Sequence, residues 1–124
     1  MHTIRFGRTG LSVSRVGFGA IPIQRLTPEQ STALLRRAYE GGVTLYDTAR
    51  VYTDSEEKIG LALRDVRKNI ILATKTPSLT RSEILSDIET SLKNLRTDYI
   101  DVYQLHDPHA VPGPGDAAYD TLLN

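Results

Sequence analysis

Residues 70–106 read IILATKTPSLTRSEILSDIETSLKNLRTDYIDVYQLH, and the architecture follows from this stretch. Ile70 to Thr74 is an apolar run of strand length bounded by polar and proline-containing sequence. Thr80 and Glu83 stand in the pattern of a capping box, the side-chain exchange that opens a helix. Behind them Ile84, Ile88, Leu92 and Leu95 recur at helical spacing and line one face. Ile100 to Leu105 is a second strand-like run. Strand, helix and strand at this spacing predict a right-handed βαβ unit with parallel pairing, and so an α/β fold.

The same alternation extends upstream. Val43 to Tyr46 predicts a buried strand, and a helix follows from Asp54 or Ser55 with Ile59, Leu63 and Val66 on one side. Gly60 weakens that helix, which points to close packing at that position. An earlier helix opens at Thr27-Pro28-Glu29-Gln30, with Thr27 as N-cap, Pro28 in the first turn and Gln30 closing a capping box. Leu34, Leu35, Ala38 and Tyr39 form its apolar stripe, and Gly41-Gly42 ends it. Gly17-Phe18-Gly19 lacks the third glycine of a dinucleotide fingerprint and reads as a backbone turn at a sheet end. Thr3 to Phe6 and Leu11 to Val13, joined through Gly7-Arg8-Thr9-Gly10, predict an N-terminal β-hairpin. Downstream, Asp107 to Gly115 holds three prolines and two glycines and forms an irregular loop, with Asp116 capping a last helix. Periodicity alone leaves two architectures open, part of a (β/α)8 barrel or a small doubly wound sheet.

Composition narrows the function. Lys plus Arg number 15 against 15 for Asp plus Glu, so no net field favours nucleic acid or an anionic membrane. There is no cysteine, which removes disulfides, thiolate metal sites and cysteine nucleophiles and fits a cytoplasmic protein. Met1 to Arg8 lacks the apolar segment of a secretory signal, and no apolar run reaches membrane-spanning length.

Four residues carry the chemistry: Asp47, Tyr52, Lys75 and His106. Side chains alternate along a strand, so Lys75 shares a face with Ala73 and Ile71, while Ile70, Leu72 and Thr74 face the helices. The same count groups His106 with Gln104, Val102 and Ile100, and Asp47 with Leu45 and Val43. In a barrel, all three polar groups would enter at the C-terminal mouth, where barrel enzymes place catalysis, with Tyr52 folding over it from the next loop. These types suit reduction of a carbonyl. Hydride addition leaves negative charge on oxygen, and a phenol can deliver the balancing proton when an ammonium stabilises the phenolate left behind. Lys75 is that ammonium, Asp47 its counter-charge, and His106 orients the carbonyl oxygen or shares the proton.

Four stretches resemble the aldo-keto reductase family: Arg5-Phe6-Gly7-Arg8-Thr9-Gly10-Leu11-Ser12-Val13-Ser14, Gly42-Val43-Thr44-Leu45-Tyr46-Asp47-Thr48-Ala49-Arg50-Val51-Tyr52, Ala73-Thr74-Lys75, and Leu95-Arg96-Thr97-Asp98-Tyr99-Ile100-Asp101-Val102-Tyr103-Gln104-Leu105-His106. The resemblance implies an Asp, Tyr, Lys and His tetrad at Asp47, Tyr52, Lys75 and His106. It also implies NADPH or NADH as cofactor, aldehydes and ketones as small carbonyl substrates, and a barrel. It makes residues 1–124 a single truncated barrel domain, a partial (β/α)8 TIM barrel of about four βα units, with 1–13 as the hairpin and 14–124 as the βα units. Of the family's cofactor contacts, Gly19, Ala20 and Asp47 have counterparts; the later strands that grip most of the cofactor have none. The family often reads Tyr-Gly-x-Ser-Glu where this chain has Tyr52-Thr53-Asp54-Ser55-Glu56, which predicts a differently shaped loop.

Other readings compete. Lys75 and Asp47 can form a purely structural ion pair, and a lone histidine such as His106 is more often a satisfied core residue. A strand-end lysine beside a carboxylate and a tyrosine also suits Schiff-base lyase chemistry at Lys75. His106, Asp107 and His109 lack a further ligand and Pro108 stiffens their segment, so no metal is expected. A non-catalytic reading remains, since four strands cannot close a barrel and their open edges invite self-association.

Overall fold

A computed structural model describes residues 1–124. Strands β1 (Thr3–Arg5) and β2 (Ser12–Ser14) pair antiparallel, Thr3 opposite Ser14, as the predicted hairpin. Gly7 and Gly10 take φ of 56° and 81° in its turn, a region that side-chain-bearing residues avoid. The hairpin is fastened below the main sheet by reciprocal bonds: the Ser14 amide donates to Thr44 Oγ1 at 2.8 Å, and the Thr44 amide to Ser14 Oγ at 2.9 Å.

The main sheet contains β3 (Phe18–Gly19), β4 (Leu45–Asp47), β5 (Ile71–Thr76) and β6 (Val102–Leu105), all parallel and in that spatial order. Helices α1 (Pro28–Glu40), α2 (Ser55–Leu63) and α3 (Arg81–Leu95) join the strands and pack side by side, and α4 (Ala117–Leu123) follows against α3. A doubly wound sheet reverses its strand order at a switch point. Here spatial order follows chain order, and Leu35, Ile59, Leu63 and Leu95 of the three helices meet Tyr46 and Leu72 in one core on one face of the sheet. The architecture is four consecutive βα units of a barrel wall.

The capping signals at α1 hold in full. Thr27 Oγ1 accepts from the Gln30 amide at 3.2 Å, and Gln30 Oε1 accepts from the Thr27 amide at 3.0 Å. The box at α3 is one-sided. Thr80 Oγ1 accepts weakly from the Glu83 amide at 3.4 Å, and its hydroxyl proton goes to Glu83 Oε2 at 2.6 Å, so the carboxylate turns to the hydroxyl instead of the Thr80 amide. The α1 stripe is narrower than predicted. Leu35 is fully buried while Leu34 is 43% exposed, because Ser31, Leu35 and Ala38 face the core and Ser31 satisfies its hydroxyl on Thr27 O.

Two strand starts shift, and with them two predicted side-chain directions. Thr44 is held by Ser14, so β4 begins at Leu45 and Val43 turns into the helix-side core instead of sharing the Asp47 face. Ile100 also packs against that core, because Asp101 Oδ2 accepts the Leu72 amide at 2.8 Å and the Arg67 guanidinium at 2.8 Å before β6 begins.

Candidate active site

Backbone bonds continue past the strand ends and fix where each loop starts. The Ala20 amide donates to Asp47 O at 2.8 Å, Thr48 to Ala73 O and Arg50 to Lys75 O at 2.9 Å, and His106 to Thr76 O at 2.8 Å. Asp47 is therefore the last residue of β4, Lys75 the penultimate residue of β5, and His106 the first beyond β6, all at the C-terminal rim. Thr74 and Thr76, on either side of Lys75, are fully buried toward the helices, so strand alternation sends Lys75 to the opposite, lumen face.

The four groups come together. Lys75 Nζ donates to Asp47 Oδ1 at 2.9 Å, to Asp47 Oδ2 at 2.8 Å and to Thr48 O at 2.7 Å. An ammonium has three protons, and three acceptor oxygens surround this one. The Tyr52 ring lies 5.7 Å from Lys75 Nζ, and it meets the His106 ring edge-on, centroids 5.4 Å apart at 87°. His106 Nδ1 is buried without a partner in the chain. The Lys75 side chain is 15% exposed and that of Asp47 43%, so the ion pair opens toward the lumen on its carboxylate side. Two other tyrosines are set apart: Tyr46, buried against the helices, and Tyr103, whose hydroxyl is buried, are both pushed up to about 12 by burial, which disfavours a phenolate in either.

The loop carrying Tyr52 solves its missing glycine by strain. Thr53 takes φ 40°, the left-handed conformation natural to glycine at that motif position, and its hydroxyl donates to Gln24 Oε1 at 3.1 Å. A β-branched residue is thus held at a φ that favours glycine. Ser55 then anchors α2: its Oγ lies 2.8 Å from Thr48 Oγ1 and bonds Ala20 O at 3.2 Å. Lys58, 4% exposed, pairs with Asp54 at 2.9 Å and donates to Ile23 O at 3.0 Å, tying the Tyr52 segment to the loop after β3. Sequence reading did not single out Ser55 or Lys58. Ser55 stands in the Ser-Glu pair quoted above, whereas Lys58 has no signal, being an ordinary surface residue type on a helix.

Gly19 is exposed, pairs with Asp47 in the sheet, and an added Cβ there would meet nothing within 4 Å, so it leaves open space beside the carboxylate. That space and an open carboxylate fit the nicotinamide end of a dinucleotide. Ala20 is different: it is 1% exposed, its amide is bonded to Asp47 O, and its carbonyl accepts from Ser55 and Ile23. Its polar groups are spent inside the loop. The largest cleft, about 790 Å³ between Arg64 and Tyr99, lies at the other end of the strands, where Arg67 is already bonded to Thr97, Ile70, Tyr99 and Asp101.

Comparison with known proteins identifies the family. Residues 15–112 match the family model described as Aldo/keto reductase family. Aldo-keto reductase YhdN of Bacillus subtilis is 40% identical over 81% of this chain and 36% of its own length. Among solved structures, aldo-keto reductase AKR11C1 from Bacillus halodurans in its holo form superposes with a TM-score of 0.88 at 30% identity, covering 98% of this chain and 45% of that one. An aldo-keto reductase from Klebsiella pneumoniae in complex with NADPH gives 0.85 at 30% identity over 98% of this chain and 44% of that one. The chain thus spans between about a third and about half of the length of these relatives, and over that span it belongs to the aldo-keto reductase family.

Proposed function

We propose that this chain carries the proton-donating part of an NAD(P)H-dependent carbonyl reductase, with Tyr52 as general acid. The observation that carries the reading is the Lys75 ammonium, saturated by Asp47 and Thr48 O and 5.7 Å from the Tyr52 ring. An ammonium fixed there stabilises the phenolate formed when Tyr52 gives its proton to the developing alkoxide. Asp47 pairs with Lys75 and points it, and His106, edge-on to Tyr52, orients the carbonyl oxygen. Gly19 and Asp47 would hold the nicotinamide end, and the cofactor, when bound, supplies the hydride. Acid catalysis of this kind contributes about 10²- to 10⁴-fold. Purified protein given NADPH and a reactive aldehyde should consume cofactor, and Tyr52→Phe should abolish consumption. Equal consumption by wild type and Tyr52→Phe, or none by either, contradicts the assignment.

The same ammonium argues against the lyase reading. A Schiff base needs a free lone pair on nitrogen, and each of the three protons on Lys75 Nζ has an acceptor. Borohydride should trap no substrate on Lys75. No helix is long and apolar enough to cross a membrane, and the absence of cysteine fits a reducing compartment such as the cytoplasm. The outer edges of β3 and β6 are unpaired, and Leu45, Ile71 and Val102 are half-buried on the lumen side, which supports their being covered by further strands, those of a second copy when the 124 residues stand alone.

A further inference from the structure

Behind the sheet, on the face opposite the four rim groups, lies a buried polar cluster that the proposed chemistry does not use. Glu56, in the first turn of α2, is 2% exposed. Its Oε1 accepts from Thr74 Oγ1 of β5 at 2.8 Å, and its Oε2 accepts from Asn94 Nδ2 of α3 at 3.1 Å. Asp87 of α3 accepts through Oδ2 from Thr76 Oγ1 at 2.5 Å and Ser78 Oγ at 2.8 Å. The Arg50 guanidinium sits between them, 3.8 Å from Glu56 Oε2 and 3.8 Å from Asp87 Oδ1. Two atoms in this neighbourhood, Arg50 Nε and Tyr103 Oη, are buried without partners, so the cluster is not closed off by its own bonds.

The positions matter more than the count. Thr74 and Thr76 are the residues on either side of Lys75, and Tyr52 is flanked by Arg50 on its loop and Glu56 in the first turn of α2. One network therefore grips both neighbours of the ammonium and both ends of the segment holding the phenol. The Arg50 amide adds a direct link, donating to Lys75 O at 2.9 Å.

We propose that Glu56, through Thr74 and Asn94 and with Arg50 and Asp87, is a positioning residue that sets Tyr52 in register with Lys75 and His106. This rests on Tyr52 being the acid, but its consequence is a placement that exists without turnover. Removing the Glu56 carboxylate leaves the Thr74 hydroxyl and the Asn94 amide without that acceptor and Arg50 with Asp87 alone, so the Tyr52 loop keeps its backbone bonds to β5 but loses its side-chain hold. Glutamine keeps an acceptor for Thr74 in its Oε1, and its Nε2 donates to Asn94 Oδ1 once the Asn94 amide turns over, and so keeps the register.

The test reads the Tyr52–His106 contact by proton NMR of the histidine rings, of which the chain has three. In wild type the edge-on Tyr52 ring shifts the His106 signals, and replacing Tyr52 with Leu identifies that shift. Glu56→Ala should abolish it, Glu56→Gln should retain it, and Leu35→Ala, a core cavity away from the cluster, should leave it in place. If Glu56→Ala does not fold, Thr74→Val, which removes the hydroxyl at nearly constant volume, should reduce the shift in its place. An unchanged His106 shift in the folded carboxylate or hydroxyl variant overturns the proposal, as does an equal loss in Leu35→Ala. Absence of reductase activity with the shift intact in wild type would instead count against Tyr52 as acid.

Discussion

Replacing Gly60 with alanine should damage this protein, although on an exposed helix the same change helps by about 1 kcal/mol. Gly60 sits in α2 where α3 ends. A Cβ built there falls 2.3 Å from Asn94 O, 2.7 Å from Leu95 C and 2.9 Å from Leu95 Cα, well inside the about 3.5 Å at which non-bonded carbons rest. All three are backbone atoms, so no rotamer change relieves the clash and the helices must part. Overpacking costs about 1 to 3 kcal/mol, and backbone contact places this case at the upper end. Parting the helices also stretches the 3.1 Å bond from Asn94 to Glu56, and a hydrogen bond to a charged group is worth about 1.5 to 3 kcal/mol. Set against the propensity gain, the net loss is about 3 kcal/mol. At about 4 °C per kcal/mol for a chain of this size, the thermal midpoint should fall by on the order of 10 °C. Circular dichroism during heating, with a urea titration alongside, measures it. A midpoint that stays or rises in Gly60→Ala refutes the close approach of α2 to α3.

Three further expectations follow from single features. Thr53→Gly should raise the urea midpoint by about 0.5 kcal/mol in stability, because relief of a left-handed residue costing about 1 to 2 kcal/mol outweighs the added chain entropy of glycine and the exposed bond to Gln24; a lower midpoint would contradict the strain. Tyr46 and Tyr103, held protonated in the fold to about 12 against an ordinary value of 10.0, release protons sooner when unfolded, so their contribution is complete below about pH 10 and is lost as pH rises toward 12. Urea midpoints across that range should decline, with a shallower decline in Tyr46→Phe, and a flat profile would contradict the burial. Finally, light scattering of the 124-residue chain should give a mass above that of one copy, since the edges of β3 and β6 are open; a stable monomer would refute self-association.

What could be read from the residues was whatever is local or periodic. The Thr27 to Gln30 box closes within four residues and forms as expected, and parity along β5 places Lys75 opposite Thr74 without knowledge of any neighbour. Reading failed where a distant partner intervenes. Val43 leaves its expected face because Ser14, far off in sequence, claims Thr44, and Ile100 leaves its own because Asp101 bonds the Leu72 amide. The one-sided box at Thr80 reflects the Glu83 carboxylate taking the Thr80 hydroxyl proton in place of the Thr80 amide, a choice that spacing does not express. At the site, the four residue types and their strand-end positions were legible, but the supports were not. Lys58 and Asp87 look like solvated surface residues in the sequence, yet one is buried under the loop after β3 and the other holds Thr76. Ala20, read as a cofactor contact, lies buried in the frame beneath Asp47 with its backbone groups bonded there.

The central claim is that an ammonium-assisted phenol delivers a proton while hydride reaches a carbonyl at this rim. Incubating the protein with NADPH deuterated at the transferring position and a reactive aldehyde, then weighing the product alcohol by mass spectrometry, tests it directly. The account predicts deuterium in the alcohol from wild type and none above background from Tyr52→Phe or Lys75→Met. Deuterated alcohol at the same level from those variants, or no labelled product from wild type, would contradict it.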